Sequence, residues 1–170
     1  MSTTIEIPLE LDVVNPTNGN AYFTRQDFQS GYQGVYRFAS GDANPVSLMV
    51  FKGNIPKNLA SPANWNLILH HTGYVAGGVA LVRAEAIQLG SGDTPPVPTV
   101  LVPNQLVGAG ASGDHNITAL ISTSFDSLMP LTAGKELSVT LMRIFAPQSG
   151  DTMTTNWDLR LPPLLRCDVN

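Results

Sequence analysis

Apolar and polar residues alternate with a period of two along most of this chain, the repeat of half-buried strands whose successive side chains point to opposite faces of a sheet. Over 4–14, Ile5, Leu9, Leu11 and Val13 are set against Glu6, Glu10 and Asp12, with a slip around Pro8. Runs rich in Val, Ile, Leu and aromatic residues follow at 34–40, 46–52, 65–71, 78–88, 116–125 and 137–146, the composition that packs well on a pleated surface. The last run, 159–169, contains Pro162-Pro163. Two missing ladder donors make it an edge strand, or two strand pieces flanking a bend. The stretch 94–103 holds four prolines and reads as a stiff connection or an edge. Helical signal is confined to single turns at 24–29 and 58–64. Ser-Gly-Asp recurs at 40–42, 91–93, 112–114 and 149–151, each a turn in which glycine supplies a positive φ and aspartate caps nearby amides. Their unequal spacing excludes a structural repeat. About eight strands with little helix predict an all-β fold, a jelly-roll-like antiparallel β-sandwich forming a single domain over 1–170. Residues 1–14 are expected to be an N-terminal strand or arm involved in assembly. Trp65, Val79, Leu81, Ile121, Leu141 and Ile144 are expected in its core.

Composition narrows the function classes. The chain has 170 residues, 43% hydrophobic and only 13% charged, with a net charge of −4. That is too apolar and too sparsely charged for disorder. The longest uninterrupted apolar stretch, 75–82, is too short for a membrane-spanning helix and stops at Arg83. Three lysines and six arginines, scattered, form no basic stripe for phosphates. Cys167 is the single cysteine, so no intrachain disulfide framework exists and the chain is expected to fold in a reducing cytoplasm. The N-terminal residues show no basic and apolar pattern of a secretory signal. With so few lysines and glutamates for solubility, the surface must be Ser, Thr, Asn and Gly, or be partly hidden in an assembly.

Candidate chemistry is sparse. Residues 108–113 match G-x-G-x-x-G, but a dinucleotide site needs that motif between a strand and a helix, and the β-branched residues from Asn116 onward read as a strand. Gly134-Lys135 is followed by Glu136, which excludes a P-loop. His70 and His71 are neighbours on a strand and point to opposite faces, so they cannot chelate one ion, and His115 is placed in a distant polar loop. The Asp-bearing turns offer oxygen ligands for calcium, without an Asp-x-Asp-x-Asp run. No G-x-S-x-G elbow, H-E-x-x-H helix or facing carboxylate pair stands out, and Arg83 and Glu85 share one strand face as an ion pair. No catalytic, cofactor-binding or metal-binding residue is assigned. Sugar sites on β-sandwiches use exposed aromatic faces. Trp65 opens an apolar strand and belongs to the core. Trp157, in a polar stretch, with Tyr32 and Tyr74 near loops, are the glycan-stacking candidates of an alternative reading.

The C-terminal half carries a recognisable layout. Phe125-Asp126-Ser127-Leu128 and a turn at Gly134 lead into Leu137-Ser138-Val139-Thr140-Leu141-Met142-Arg143. A loop with Asp151-Thr152 follows, then Trp157-Asp158-Leu159-Arg160-Leu161 and a closing strand. Upstream, Trp65-Asn66-Leu67-Ile68-Leu69 and Gly77-Gly78-Val79-Ala80-Leu81 fit the same arrangement. This resembles small virion proteins of tailed bacteriophages, in which a V-x-L-x-R … D-T … L hairpin ends a jelly-roll domain, and most of all the capsid decoration (cement) proteins. The resemblance covers about residues 60–170 and rests on strand patterns and turns. It implies a homotrimer without catalytic residues, made in the host bacterial cytoplasm and docked at local threefold positions on the capsid exterior. Its partner would be the major capsid protein of a tailed phage, with no membrane and no direct nucleic-acid contact. The alternative is a tail-associated or receptor-binding β-sandwich that recognises host-surface glycan.

Overall fold

The computed structural model describes residues 2–14, 21–28, 31–39, 46–73, 76–108, 110, 115–120, 124–144 and 150–170, the side chains of 13–14, 22, 25–28 and 31–33 excepted. The described residues form twelve strands and no helix: β1 (Thr3–Pro8), β2 (Glu10–Val14), β3 (Ala21–Phe28), β4 (Gly31–Phe38), β5 (Val46–Asn54), β6 (Trp65–Gly73), β7 (Val79–Leu89), β8 (Thr99–Gly108), β9 (Asn116–Leu120), β10 (Glu136–Ile144), β11 (Trp157–Leu159) and β12 (Leu164–Val169). They build two antiparallel sheets. One runs β2-β5-β10-β7-β8; the other runs β1-β12-β6-β11-β4-β3, with β9 also on β6. The fold is a jelly-roll-like β-sandwich.

The 4–14 alternation is two strands, one in each sheet, and the slip at Pro8 is the crossing. β1 pairs with β12 up to Pro8↔Leu164, and β2 pairs with β5 from Glu10↔Lys52. Leu9, fully buried, plugs the corner between the sheets, and its N–H donates to the Pro163 carbonyl at 2.9 Å. Gly53 faces it across β5. A Cβ there would sit 2.8 Å from Leu9 Cδ2, so the glycine is what leaves room for the plug. Residues 3–14 are thus integrated into the chain's own sheets.

At the other terminus, β11 and β12 lie end to end along one side of β6, with β9 on its opposite side. Between the pairs Leu159↔His71 and Leu164↔Ile68 the closing chain spends four residues where β6 spends two. The prolines occupy that surplus, where no ladder donor is required. They flank a bend in interior strands.

Inward residues of both sheets make one core. Trp65, Phe38, Phe51, Phe125, Leu141 and Trp157 are among its fully or almost fully buried members. Trp65 packs edge-on against Phe125, with ring centroids 5.0 Å apart, and its indole N–H donates to the Met129 carbonyl at 2.9 Å. Among the expected core residues, Trp65 and Leu141 belong to this core, Leu81 is buried but on the outer side of β7, and Ile121 lies outside the described residues. Val79 and Ile144 are half-buried instead. They alternate with the inward Ala80 and Arg143 and so point to the outer face.

Other expectations need correcting. Residues 24–29, read as a helical turn, belong up to Phe28 to β3, and 58–64 form no helix but an isolated bridge, Leu59↔Val169. Local propensity over so few residues is too weak to resist pairing with β4 and β12. The proline-rich segment runs into β8, an edge strand with register shifts opposite β7. The strand expected over 116–125 is described as β9 only to Leu120, and Phe125 starts a turn that caps Trp65. Of the Ser-Gly-Asp turns, that at 91–93 behaves as read: Gly92 has φ +84° and Asp93 accepts from the Gly90 N–H at 2.8 Å. Those at 40–42 and 112–114 lie outside the described residues.

Candidate functional site

The outer face of the five-stranded sheet departs most from what a solvated sheet surface needs. Core-facing Met49 and Phe51 on β5, and Leu137, Val139, Leu141 and Arg143 on β10, leave their alternate neighbours pointing outward. At one end of the sheet those neighbours are apolar in register. Ile144 pairs with Val46, Met142 with Leu48, and Thr140 with Val50. On the far side of β10, Leu81 of β7 pairs with Leu106 of β8, which is 50% exposed. An antiparallel sheet with one solvated face normally places polar residues at such positions.

The charges bordering this area are cancelled within the chain. Arg83, opposite Met142, donates from Nε to Glu85 Oε1 at 2.8 Å, the same-face ion pair expected from sequence. Lys52 pairs with Asp12 at 2.9 Å. None of the residues named on this face is aromatic. Chemically the area can exclude water against a matching apolar surface, and offers nothing to position a reacting group.

The glycan-stacking candidates fare differently. Trp157 is fully buried: its ring packs on Phe38 (centroids 5.2 Å) and its indole N–H donates to His71 Nδ1 at 3.2 Å. It offers no face to a sugar. The polar neighbours that suggested exposure follow strand alternation, since Trp157 points inward between β4 and β6. Tyr74 and the Tyr32 side chain lie outside what the structure describes. Phe23 is the exposed aromatic among the described side chains, at 58%. Its ring lies over Gly34, where a Cβ would collide with Cζ, and beside Tyr36. Covering a glycine on a strand at the sheet margin accounts for that position.

His70 and His71 point to opposite faces as expected, but His115 is not distant. Its Nε2 shares a 3.0 Å hydrogen bond with His70 Nδ1. Strand β9 pairs with β6 from His71↔Asn116 onward, which brings His115 alongside. Burial, then the neighbouring Arg160 and His70, lower the His115 pKa. His71 is buried. Because Trp157 donates to its Nδ1, its proton sits on Nε2, which faces Thr118 Oγ1 at 2.9 Å. Desolvation first, then the charges of His115 and His70, push its pKa down to about 4. Among the described residues no group of three His, Cys, Asp or Glu side chains is placed to hold a metal. The Cys167 thiol is buried, and burial first, then Asp168, raises its pKa, which removes it from thiolate chemistry.

The Arg and Asp of the hairpin motif meet in the interior. Arg143 Nε and Nη2 each reach an Asp151 oxygen at 3.2 Å, and both side chains are fully buried. Arg143 also donates to the carbonyls of Phe38, Thr155 and Met153. Asp151 accepts the Leu81 and Met153 N–H groups at 3.2 and 3.0 Å. Asp151, the aspartate of the fourth Ser-Gly-Asp, is therefore part of an interior clasp with Arg143 that ties the 150–155 loop to β4, β7 and β10.

No known protein family matches this chain, and no curated protein does. Solved structures to which the chain is similar include one of infectious bursal disease virus, Gx strain (12% identity over 99% of this chain and 32% of the viral chain, TM-score 0.43). They also include the C-terminal CBM6 of LamC, a marine laminarinase from Zobellia galactanivorans (14% identity, 97% and 98% coverage, TM-score 0.42). A third is the mannan-recognising module TmCBM27 (10% identity, 99% and 95% coverage, TM-score 0.46). The chain spans about a third of the viral protein's length. At these identities and TM-scores neither a fold nor a role is taken from the similarity.

Proposed function

We propose that this chain is a non-catalytic structural protein of a tailed-phage virion, which docks as a homotrimer on the capsid exterior and reinforces the shell. The observation that carries this reading is the apolar end of the five-stranded sheet's outer face, where Val46, Leu48, Met142 and Ile144 stand in register. Exposed apolar area is unfavourable by about 25 cal/mol per Å², and interface centres are depleted in charge because desolvating lysine or glutamate is costly. A face of Val46, Leu48, Met142 and Ile144, bordered by charges already paired at home, suits burial against protein. The low overall charge fits the same role, and the virion resemblance of residues 60–170 supplies the kind of partner.

The test mixes the purified chain with undecorated capsids and measures its oligomeric state by light scattering. A trimer of the 18.1 kDa chain that binds at threefold sites is expected. Leu48→Glu/Met142→Glu should abolish both assembly and capsid binding while leaving a folded, cooperatively unfolding monomer. A monomer that ignores capsids, or a double variant that still assembles and binds, would overturn the reading.

A further inference from the structure

The opposite face of the sandwich carries a cleft of about 350 Å³, whose described lining is Thr4, Asn64, Trp65, Asn66, Ser124, Arg166 and Asp168. It lies on the outer side of the seven-stranded sheet, where β1, β12 and the start of β6 run side by side and Ser124 meets the Trp65 N–H. Three features distinguish it from an ordinary solvated surface.

Asn66 Oδ1 is buried and has no hydrogen-bond partner among the described residues, a desolvation penalty that a donor entering the cleft would relieve. Ser124 Oγ accepts two backbone N–H groups, from Trp65 at 3.0 Å and Asp126 at 3.1 Å. Its lone pairs are occupied, so the hydroxyl hydrogen is what it has left to offer. Asp168 is held by Thr4 Oγ1 (2.7 Å) and Asn64 Nδ2 (3.2 Å), one donor on each carboxylate oxygen, which fixes the group and leaves acceptor capacity on both.

The charges select the ligand class. Arg166 is neutralised by Glu6 across the β1–β12 pair, with Nε donating at 2.9 Å. An anion would meet the Asp168 carboxylate. A hard cation needs a shell of oxygens, yet here the serine presents a hydrogen and two donors already stand on the aspartate. A fixed carboxylate, an unpaired amide oxygen and a hydroxyl donor within one small cleft match a neutral molecule that both donates and accepts.

We propose that this cleft binds one ring of a neutral carbohydrate, held side-on through its hydroxyl groups by Asn66, Ser124 and Asp168. Trp65 is 2% exposed, so no aromatic face stacks on the ring, and affinity at a single site is in the millimolar range. Repeated copies on one particle would multiply it through avidity. The site does not depend on the docking face, and it lies on the side of the sandwich that docking would leave open.

The experiment titrates the full-length, ¹⁵N-labelled chain with glucose, galactose, mannose and N-acetylglucosamine, each to about 0.1 M, where a millimolar site fills. Saturable shifts of the Asn64 and Asn66 side-chain amides and the Trp65 backbone amide are expected with at least one sugar. Asn66→Ala should weaken that binding about tenfold or more. Asp168→Asn, nearly isosteric, should weaken it about tenfold and keeps the test decisive if the first variant does not fold. The proposal is overturned by no saturable shift with any of the four sugars, by both variants binding as the parent does, or by cleft signals that answer to calcium chloride and not to sugar.

Discussion

His71 shows how a buried polar side chain ties stability to pH. Its folded pKa of about 4 lies below the ordinary 6.5, so in between, the unfolded chain takes up a proton that the folded chain refuses. The stabilisation is complete above pH 6.5 and is lost progressively as the pH falls toward 4, by at most about 3 kcal/mol. Urea unfolding across that range should show the decline, and His71→Gln should flatten it. Arg143 and Asp151 show what a buried ion pair contributes. A buried ion pair is a weak net contributor, but removing one partner strands the other without solvent. Arg143→Met is therefore expected to lower stability by about 3–5 kcal/mol. Arg143→Met with Asp151→Leu should recover part of it, and equal losses in both proteins would exclude the clasp. The types and spacing of these residues were visible in the sequence as Arg143 … Asp151-Thr152. Their burial was not, because a Ser-Gly-Asp triplet reads equally as a surface turn.

At the scale of elements, the corner between β1 and β2 decides how the sandwich closes. Leu9 must pass between the sheets, and Gly53 must lack a side chain for it to do so. Gly53→Ala should lower stability by about 1–3 kcal/mol, the usual cost of overpacking. In a Leu9→Ala background, which opens the space, the same substitution should be almost neutral. Additive losses in the denaturant midpoints would contradict that packing. The alternation on both sides of Pro8 was legible in the sequence, and so was a break at Pro162-Pro163. Which sheet each piece joins was not, since period two specifies a strand and leaves its partner open. The same limit explains β3. Its pairing with β4 outweighs the weak helical character of 24–29.

Across the whole molecule the two outer faces differ in kind. The five-stranded sheet presents an apolar end with its bordering charges paired, whereas the seven-stranded sheet presents Glu6, Arg166, Asp168 and the polar cleft. Substitutions at Leu48 and Met142 touch half-buried outward positions and leave the inward core intact, which is why their main effect should fall on assembly and the monomer should still fold. The shortage of charge could be read as an assembly signal, but composition has no direction. Only the pairing of β5, β10, β7 and β8 gathers the uncharged residues onto one surface.

What the sequence determined by itself was the fold class. Two-residue periodicity, glycine at turns and the want of helical stretches are local properties, fixed by side-chain size and backbone sterics, and they survive in any arrangement of the strands. Tertiary structure alone decided that Trp157 is buried, that His115 meets His70, and that Asn66 faces a cleft without a partner. Each depends on strands far apart in the chain lying side by side, and the register that puts them there follows from the packing of the core as a whole.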